Sequence, residues 1–317
     1  MESYIIKNTD DGVFAYDERD VWHEWLTRDL HDSNSDLSSA QNQRIINSFA
    51  LRAIENAQLD VNQKLLDVGS GEGVVAFLAI DKIGPSLQVV MLDISQELLD
   101  LSRQKAISKN VIDQCLFVKG SMKSMSMIEN NSIDRIITRA SLAYIDHKVR
   151  TLQEFLRVLK PGGMISLAEP IFHDSAMNVA IQKKIIDQQI ATIGHADADK
   201  LLIHKWQSTQ FPDLVEQINA TAFINFTERD LVDWTKEAGF SNIHMEFHMD
   251  EVELIGNTWE YLLNSSMHPL APKLSQVLED HFSEDERLAL QKLLFPDSVG
   301  NSFTAKTHMA YLTAHKS

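Results

Sequence analysis

The chain has 317 residues, of which 44% are hydrophobic and 23% are charged, the values of an ordinary globular protein that can bury a full core. Its formal net charge of −16 repels phosphate backbones and anionic lipid surfaces, so we expect no nucleic-acid partner and no membrane partner. With one cysteine, Cys115, the chain cannot form an intramolecular disulfide, which suits a reducing compartment.

The first twenty residues are polar and acidic, without the basic region and apolar run of a signal peptide. No stretch of the sequence approaches the ~18 uninterrupted apolar residues that span a bilayer. We therefore expect a cytoplasmic protein.

Residues 1–38 form the first predicted segment and are rich in aromatic side chains. Two interpretations stay open: the aromatic rings close over a ligand or cage a cation, or they anchor the segment to the core. The segment ends in a loop-like stretch over residues 32–39, and a helix with apolar residues about every 3.6 positions is predicted to begin near Ser39. The aromatic residues in question are Phe14, Tyr16, Trp22 and Trp25.

The pattern then alternates between short apolar strands and helices. Strands are predicted over residues 64–68, 87–92, 116–118, 133–138 and 164–168, with helices over residues 73–83, 95–110 and 148–159 between them. Alternation at this spacing indicates a parallel sheet covered on both faces, and right-handed crossovers then give a Rossmann-like layout.

Beyond residue 170 two helical insertions interrupt the predicted sheet. The predicted division is a core over residues 39–170, a helical cap over 171–225, a core continuation over 226–256, a second helical insertion over 257–303 and a final core strand over 304–317. Long insertions in a compact domain are usually lids or binding elements. The alternatives are decoration or an oligomer interface, such as that of a homodimer.

A glycine loop after the first strand is the strongest local signal, and it reads Leu65-Leu66-Asp67-Val68-Gly69-Ser70-Gly71-Glu72-Gly73. Alternate glycines let a ligand approach the main chain, at the edge where open α/β sheets bind ligands. The third glycine comes one position too early for a dinucleotide-binding loop, and no Gly-Lys-Ser/Thr follows as in a P-loop. The carboxylate of Asp67 would repel a pyrophosphate and suits a cationic group such as an ammonium.

This loop resembles the first motif of class I S-adenosylmethionine (SAM)-dependent methyltransferases. The strand that ends in Asp93 and the Leu159-Lys160-Pro161-Gly162-Gly163 run after a helix resemble further motifs of the family. The resemblance implies an α/β, Rossmann-like seven-stranded methyltransferase sheet whose last strand is antiparallel, with helices on both faces and helical cap insertions. It also implies SAM as cofactor and S-adenosylhomocysteine (SAH) as product.

The resemblance also assigns residues to the cofactor. An acid at the position of Asp93 accepts the ribose hydroxyls, and a hydrophobic residue, here Ile94, packs on the adenine. Many relatives have an acid where Ser121 stands, and a serine hydroxyl can still bond adenine. Arg139 falls next to the methyl donor, and Arg44 is a candidate partner of the methionine carboxylate. The full predicted set is Arg44, Asp67, Gly69, Ser70, Gly71, Asp93, Ile94, Ser121, Met122 and Arg139.

Three residues are candidates for contact with the methyl acceptor. Glu169 ends the fifth strand, Tyr144 follows the fourth strand, and His173 lies on the way into the first insertion, where a solvated histidine is the alternative. The scattered histidines form no metal signature, so we expect no metal.

The predicted function is methyl transfer to an N, O, S or C atom of a small metabolite by in-line displacement in an enclosed site. A protein or peptide methyltransferase and a catalytically silent SAM-binding regulatory protein remain alternatives, and an NAD-dependent oxidoreductase is a third.

Overall fold

The architecture is an α/β sheet, and the computed structural model describes residues 20–29, 36–255, 259–295 and 302–317. Within these ranges seven strands form one sheet in the order β3-β2-β1-β4-β5-β7-β6. The strands are β1 (Lys64–Val68), β2 (Gln88–Asp93), β3 (Cys115–Lys119), β4 (Ile133–Arg139), β5 (Leu159–Pro170), β6 (Ser241–Ile255) and β7 (Ser302–His315). The first five strands pair in parallel, and β7 pairs antiparallel with both β5 and β6, which confirms the predicted fold class.

Helices cover both faces of this sheet and fill the two insertions. Those of the N-terminal half are α1 (Val21–Glu24), which continues into a π-helical turn over Trp25–Asp29, α2 (Asp36–Asn56), α3 (Val74–Ile83), α4 (Gln96–Ser108) and α5 (Lys148–Val158). The others are α6 (His173–Ile193), α7 (Ala198–Gln207), α8 (Val215–Ala220), α9 (Glu228–Glu237), α10 (Trp259–Asn264), α11 (Leu274–His281) and α12 (Glu284–Leu294).

The sheet is buried on both faces because consecutive apolar residues of each central strand point to opposite sides. Leu66 of β1 packs in one apolar cluster with Phe155 of α5, whereas its neighbour Leu65 packs in a second cluster with Ile54 of α2. All four side chains are at most 1% exposed. This two-sided burial fixes the strand register, and with it the position of every loop at the carboxyl edge.

The helices of the two insertions pack on each other. Leu202 and Trp206 of α7 contact an apolar cluster that includes Leu262 of α10 and Leu290 of α12. A second link is the buried His268, whose Nε2 lies 2.7 Å from the Gln210 carbonyl oxygen. The two insertions therefore pack together as one helical unit.

Several details differ from the sequence prediction. The helix before β1 begins at Asp36 rather than near Ser39. Cys115 is half-buried, and burial raises the pKa of its thiol to about 11. Phe14 and Tyr16 lie outside the described residues. Among the described helices, none is long and apolar enough to cross a membrane.

Candidate cofactor and acceptor site

A pocket opens at the carboxyl ends of the parallel strands, with about 890 Å³ of space outside the protein atoms, its open mouth included. Gly69 and Gly71 follow β1, Asp93 ends β2 and Ile94 follows it; all four line the pocket. Other parts of its wall are Ser121 and Met122 after β3, Arg139 and Tyr144 at and after the end of β4, Trp22, Trp25 and Leu26 at the N-terminus, and Pro269 from the second insertion.

At Gly69 the glycine loop approaches another part of the chain so closely that a side chain cannot be added. Gly69 has a φ of +66°, and a Cβ placed on it would lie 2.5 Å from the Cβ of Ser141. A Cβ on Gly71 would lie 3.2 Å from Leu26. The bare main chain at Gly71 therefore forms part of the pocket surface, as a closely approaching ligand requires.

Asp93 is held by the backbone around it and is 8% exposed. Its Oδ2 accepts the amide of Gly71 at 2.8 Å, and its Oδ1 accepts the amide of Ser95 at 2.9 Å. Burial raises the pKa of this carboxyl. A carboxylate offers about four acceptor positions, so Asp93 retains acceptors for hydroxyl groups of a ligand in the pocket.

Two predicted residues of the loop lie beneath it rather than in the pocket wall. Asp67 is 1% exposed, and its Oδ2 accepts the amide of Ala76 at 3.1 Å. Burial raises the pKa of the Asp67 carboxyl to about 7. The Ser70 hydroxyl is buried and has no hydrogen-bond partner in the described part of the chain.

Arg139 and Tyr144 add two polar groups to the pocket wall. The Arg139 guanidinium has no hydrogen-bond partner among the described residues, and burial lowers its pKa while the carboxylates of Asp67 and Glu169 oppose that shift. The ring of Tyr144 lies edge-on to Trp22 at 5.0 Å between centroids. Burial raises the pKa of the Tyr144 hydroxyl, which therefore stays protonated.

Besides Asp67 and Ser70, three more of the residues predicted from the sequence lie outside the pocket wall. Glu169 is fully buried below the loop that follows β4, and its carboxylate accepts the amides of Ser141 and Ala143. The oxygens of Glu169 thus face the loop backbone, whereas the sequence predicted contact with the acceptor. His173 has its Nδ1 3.6 Å from an oxygen of Asp174, and Arg44 is exposed on α2.

The structure also brings in residues that the sequence did not single out for the site. Ser141 donates through its hydroxyl to the Val68 carbonyl at 3.0 Å and so ties the loop after β4 to the glycine loop. Leu26 and Pro269 come from distant parts of the chain. The only sequence signal for Pro269 is the helix break at His268–Pro269, which indicates a turn and not a site.

A Rossmann-like sheet with an open glycine loop and a buried acid after β2 defines a protein that binds a nucleoside-type cofactor. Residues 59–220 match the family model described as a methyltransferase domain, which is about half of the chain. The chain therefore belongs to the class I SAM-dependent methyltransferase family.

Curated relatives include ubiquinone/menaquinone biosynthesis C-methyltransferases named UbiE. The one from Brucella abortus (strain S19) is 29% identical over 169 residues, which cover 53% of this chain and 60% of that protein. The one from Rhodopseudomonas palustris (strain BisB5) is 25% identical over 244 residues, covering 76% of this chain and 89% of that protein. The chain thus spans less than two thirds of the first of these relatives.

A solved structure with the same fold is geranyl diphosphate C-methyltransferase from Streptomyces coelicolor A3(2), crystallised with Mg²⁺, geranyl diphosphate and SAH. The TM-score is 0.51 and the identity 16%, over 88% of this chain and 82% of that chain. The pocket residues of the present protein fit the family cofactor: Gly71 leaves the main chain open, Asp93 retains hydroxyl acceptors, and Arg139 has no hydrogen-bond partner within the described part of the chain.

We expect Gly69→Ala to abolish tight SAH binding, because the new methyl group would collide with Ser141. Gly194→Ala is the matched control: Gly194 has a φ of +81° in the left-handed region, and a Cβ there meets nothing within 4 Å. The strain of a left-handed alanine alone costs roughly 1–2 kcal/mol. Calorimetric titration with SAH and thermal unfolding check both variants, and equal effects at the two positions would contradict the close-approach argument.

Proposed function

We propose that the protein transfers the methyl group of SAM to an atom, preferentially carbon, of a small and largely apolar metabolite by in-line displacement. The observation that carries this proposal is one pocket with two kinds of lining. Gly71 and Asp93 contribute open main chain and hydrogen-bond acceptors, whereas Trp22, Trp25 and Pro269 contribute aromatic and apolar surface. The C-methyltransferase names of the UbiE relatives favour carbon as the methylated atom.

The cofactor would lie along the carboxyl edge of the sheet. Asp93 accepts the ribose hydroxyls, and Ile94, Leu98 and Met122 give the apolar faces between which a base packs. The hydroxyl of Ser121 is the polar side chain at that end of the pocket among the described residues. The methionine part of the cofactor would then extend toward Arg139, with Asp67 beneath the glycine loop.

When bound, SAM supplies a methyl group that is already activated by a positively charged sulfur. The protein's own task is to hold the acceptor in line and to keep water out, which is the proximity contribution to catalysis. Trp22, Trp25 and Pro269 give the pocket an apolar wall that would face the acceptor. A concave pocket of this kind suits a discrete metabolite better than a segment of a protein.

The pocket wall also bears on the acceptor's chemistry. Among the described lining residues there is no histidine, lysine or cysteine, and the one carboxylate, Asp93, already accepts two backbone amides. Such a wall offers no free general base. The acceptor that suits it is nucleophilic on its own, as an electron-rich carbon, an amine or a thioether is.

The decisive experiment incubates the purified protein with methyl-labelled SAM and a fractionated metabolite extract. We expect micromolar binding of SAM and SAH, no binding of NAD, and label in an organic-soluble compound of low mass. Asp93→Ala, which removes the ribose acceptor, should weaken SAH binding by about tenfold or more and abolish labelling. Label confined to polypeptide would favour a protein methyltransferase. Cofactor binding without any labelling would favour a regulatory protein.

We expect SAM affinity to fall as the pH drops through about 7, the pKa to which burial raises Asp67. Protonation below that pH removes the negative charge that attracts the cofactor's ammonium group, and deprotonation above it restores the charge. Titration calorimetry from pH 5.5 to 8.5 checks this expectation. Asp67→Asn should bind weakly with a flat pH profile, and a wild-type affinity that does not change over this range would contradict the assignment.

Arg139 and Arg44 are the two candidate partners of the methionine carboxylate. A double-mutant cycle that combines each substitution with removal of the carboxylate from the ligand distinguishes them. The two ligands compared are SAH and its decarboxylated analogue. The pocket position of Arg139 and the exposed position of Arg44 predict that Arg139→Gln loses about tenfold in SAH affinity, with little change for the analogue. Arg44→Gln should leave both affinities unchanged, and the reverse pattern would transfer the role to Arg44.

A further inference from the structure

The loop that follows β4 forms a large part of the pocket wall and is held from below by one side chain. Arg139, Ala140, Ser141, Tyr144 and Ile145 all line the pocket. Beneath them Glu169, 0% exposed at the end of β5, accepts the amides of Ser141 at 3.0 Å and Ala143 at 2.9 Å through one oxygen, Oε2. Its other oxygen accepts the hydroxyl of Thr138.

The loop needs this support because its backbone is strained at the point where it leaves the strand. Ala140 has a φ of +50°, a left-handed conformation that is unfavourable for an alanine. The next residue, Ser141, then lies against Gly69 and donates to the Val68 carbonyl. The orientation of the loop therefore decides both the fit of the glycine loop and the direction of the adjoining Arg139.

A second buried charge fastens the far end of the same loop. Lys148 donates from Nζ to the carbonyl oxygens of Ile145 at 2.8 Å and of Ala222 at 3.0 Å. Neither this ammonium nor the Glu169 carboxylate lines the pocket, yet both bind the backbone of residues that do. Two buried charged groups that both bind the backbone of this loop indicate that they stabilise its geometry.

We propose that Glu169 is a positioning residue, which acts through the amides of Ser141 and Ala143 to aim Arg139 at the carboxylate of the bound cofactor. This inference rests on the proposed function, since it presumes that SAM occupies the pocket. It assigns Glu169 a role without contact to either substrate.

The test compares the affinities for SAH and for its decarboxylated analogue. Glu169→Met keeps the length of the side chain but removes both acceptors, so we expect SAH affinity to fall about tenfold while affinity for the analogue changes less than about threefold. Glu169→Gln should restore most of the SAH affinity, because one amide oxygen can accept both backbone amides while the Thr138 hydroxyl turns to accept from the new NH₂ group.

Glu154→Met is the matched control. Glu154 also accepts a loop amide, that of Met125 at 2.9 Å, but Met125 does not line the pocket. We expect this variant to bind both ligands like the wild type.

If Glu169→Met fails to fold, Thr138→Val loosens the same carboxylate, and we expect it to lower SAH affinity about threefold without affecting the analogue. An equal loss for both ligands, or a Glu169→Gln variant as weak as Glu169→Met, would overturn the positioning role. A wild-type protein that binds neither ligand would overturn the proposed function, and the inference with it.

Discussion

The close approach of the loops after β1 and β4 is the constraint on which the site depends. Gly69 and Ser141 come so near each other that no side chain fits on the glycine, and the Ser141 hydroxyl bonds the main chain just before it. These loops come from adjacent parallel strands, so the register of β1 and β4 decides their spacing. Buried apolar residues on both faces of the sheet fix that register, and a core substitution that shifted it would reach the pocket directly.

The fold could be predicted from the sequence because its signals are local. Short apolar strands alternate with helices at regular spacing, and Leu65 and Leu66 are apolar together because β1 is covered on both faces. Part of the site could be predicted for the same reason. The glycine loop and Asp93 follow directly from strands, so their place at the carboxyl edge follows from the topology.

The rest of the site could not be predicted, because it depends on contacts between residues far apart in the chain. Pro269 and Leu26 carry no motif and reach the pocket only through the packing of the cap and of the N-terminal helix. The contacts of Glu169 could not be predicted for a different reason. Its position at the end of β5 was evident, but the direction of its carboxylate depends on the backbone of the loop after β4, whose left-handed Ala140 has no sequence signature.

The position of β7 has a consequence for how the chain acquires its structure during synthesis. This strand is the last of the seven in sequence, yet it lies between β5 and β6 in the sheet. The ribosome therefore releases β5 long before it synthesises β7, which pairs with β5 in the finished sheet. The edge of β5 that will pair with β7 stays open while the two insertions are synthesised. Pairing across so large a separation in sequence is slow, and exposed edges invite association with other chains.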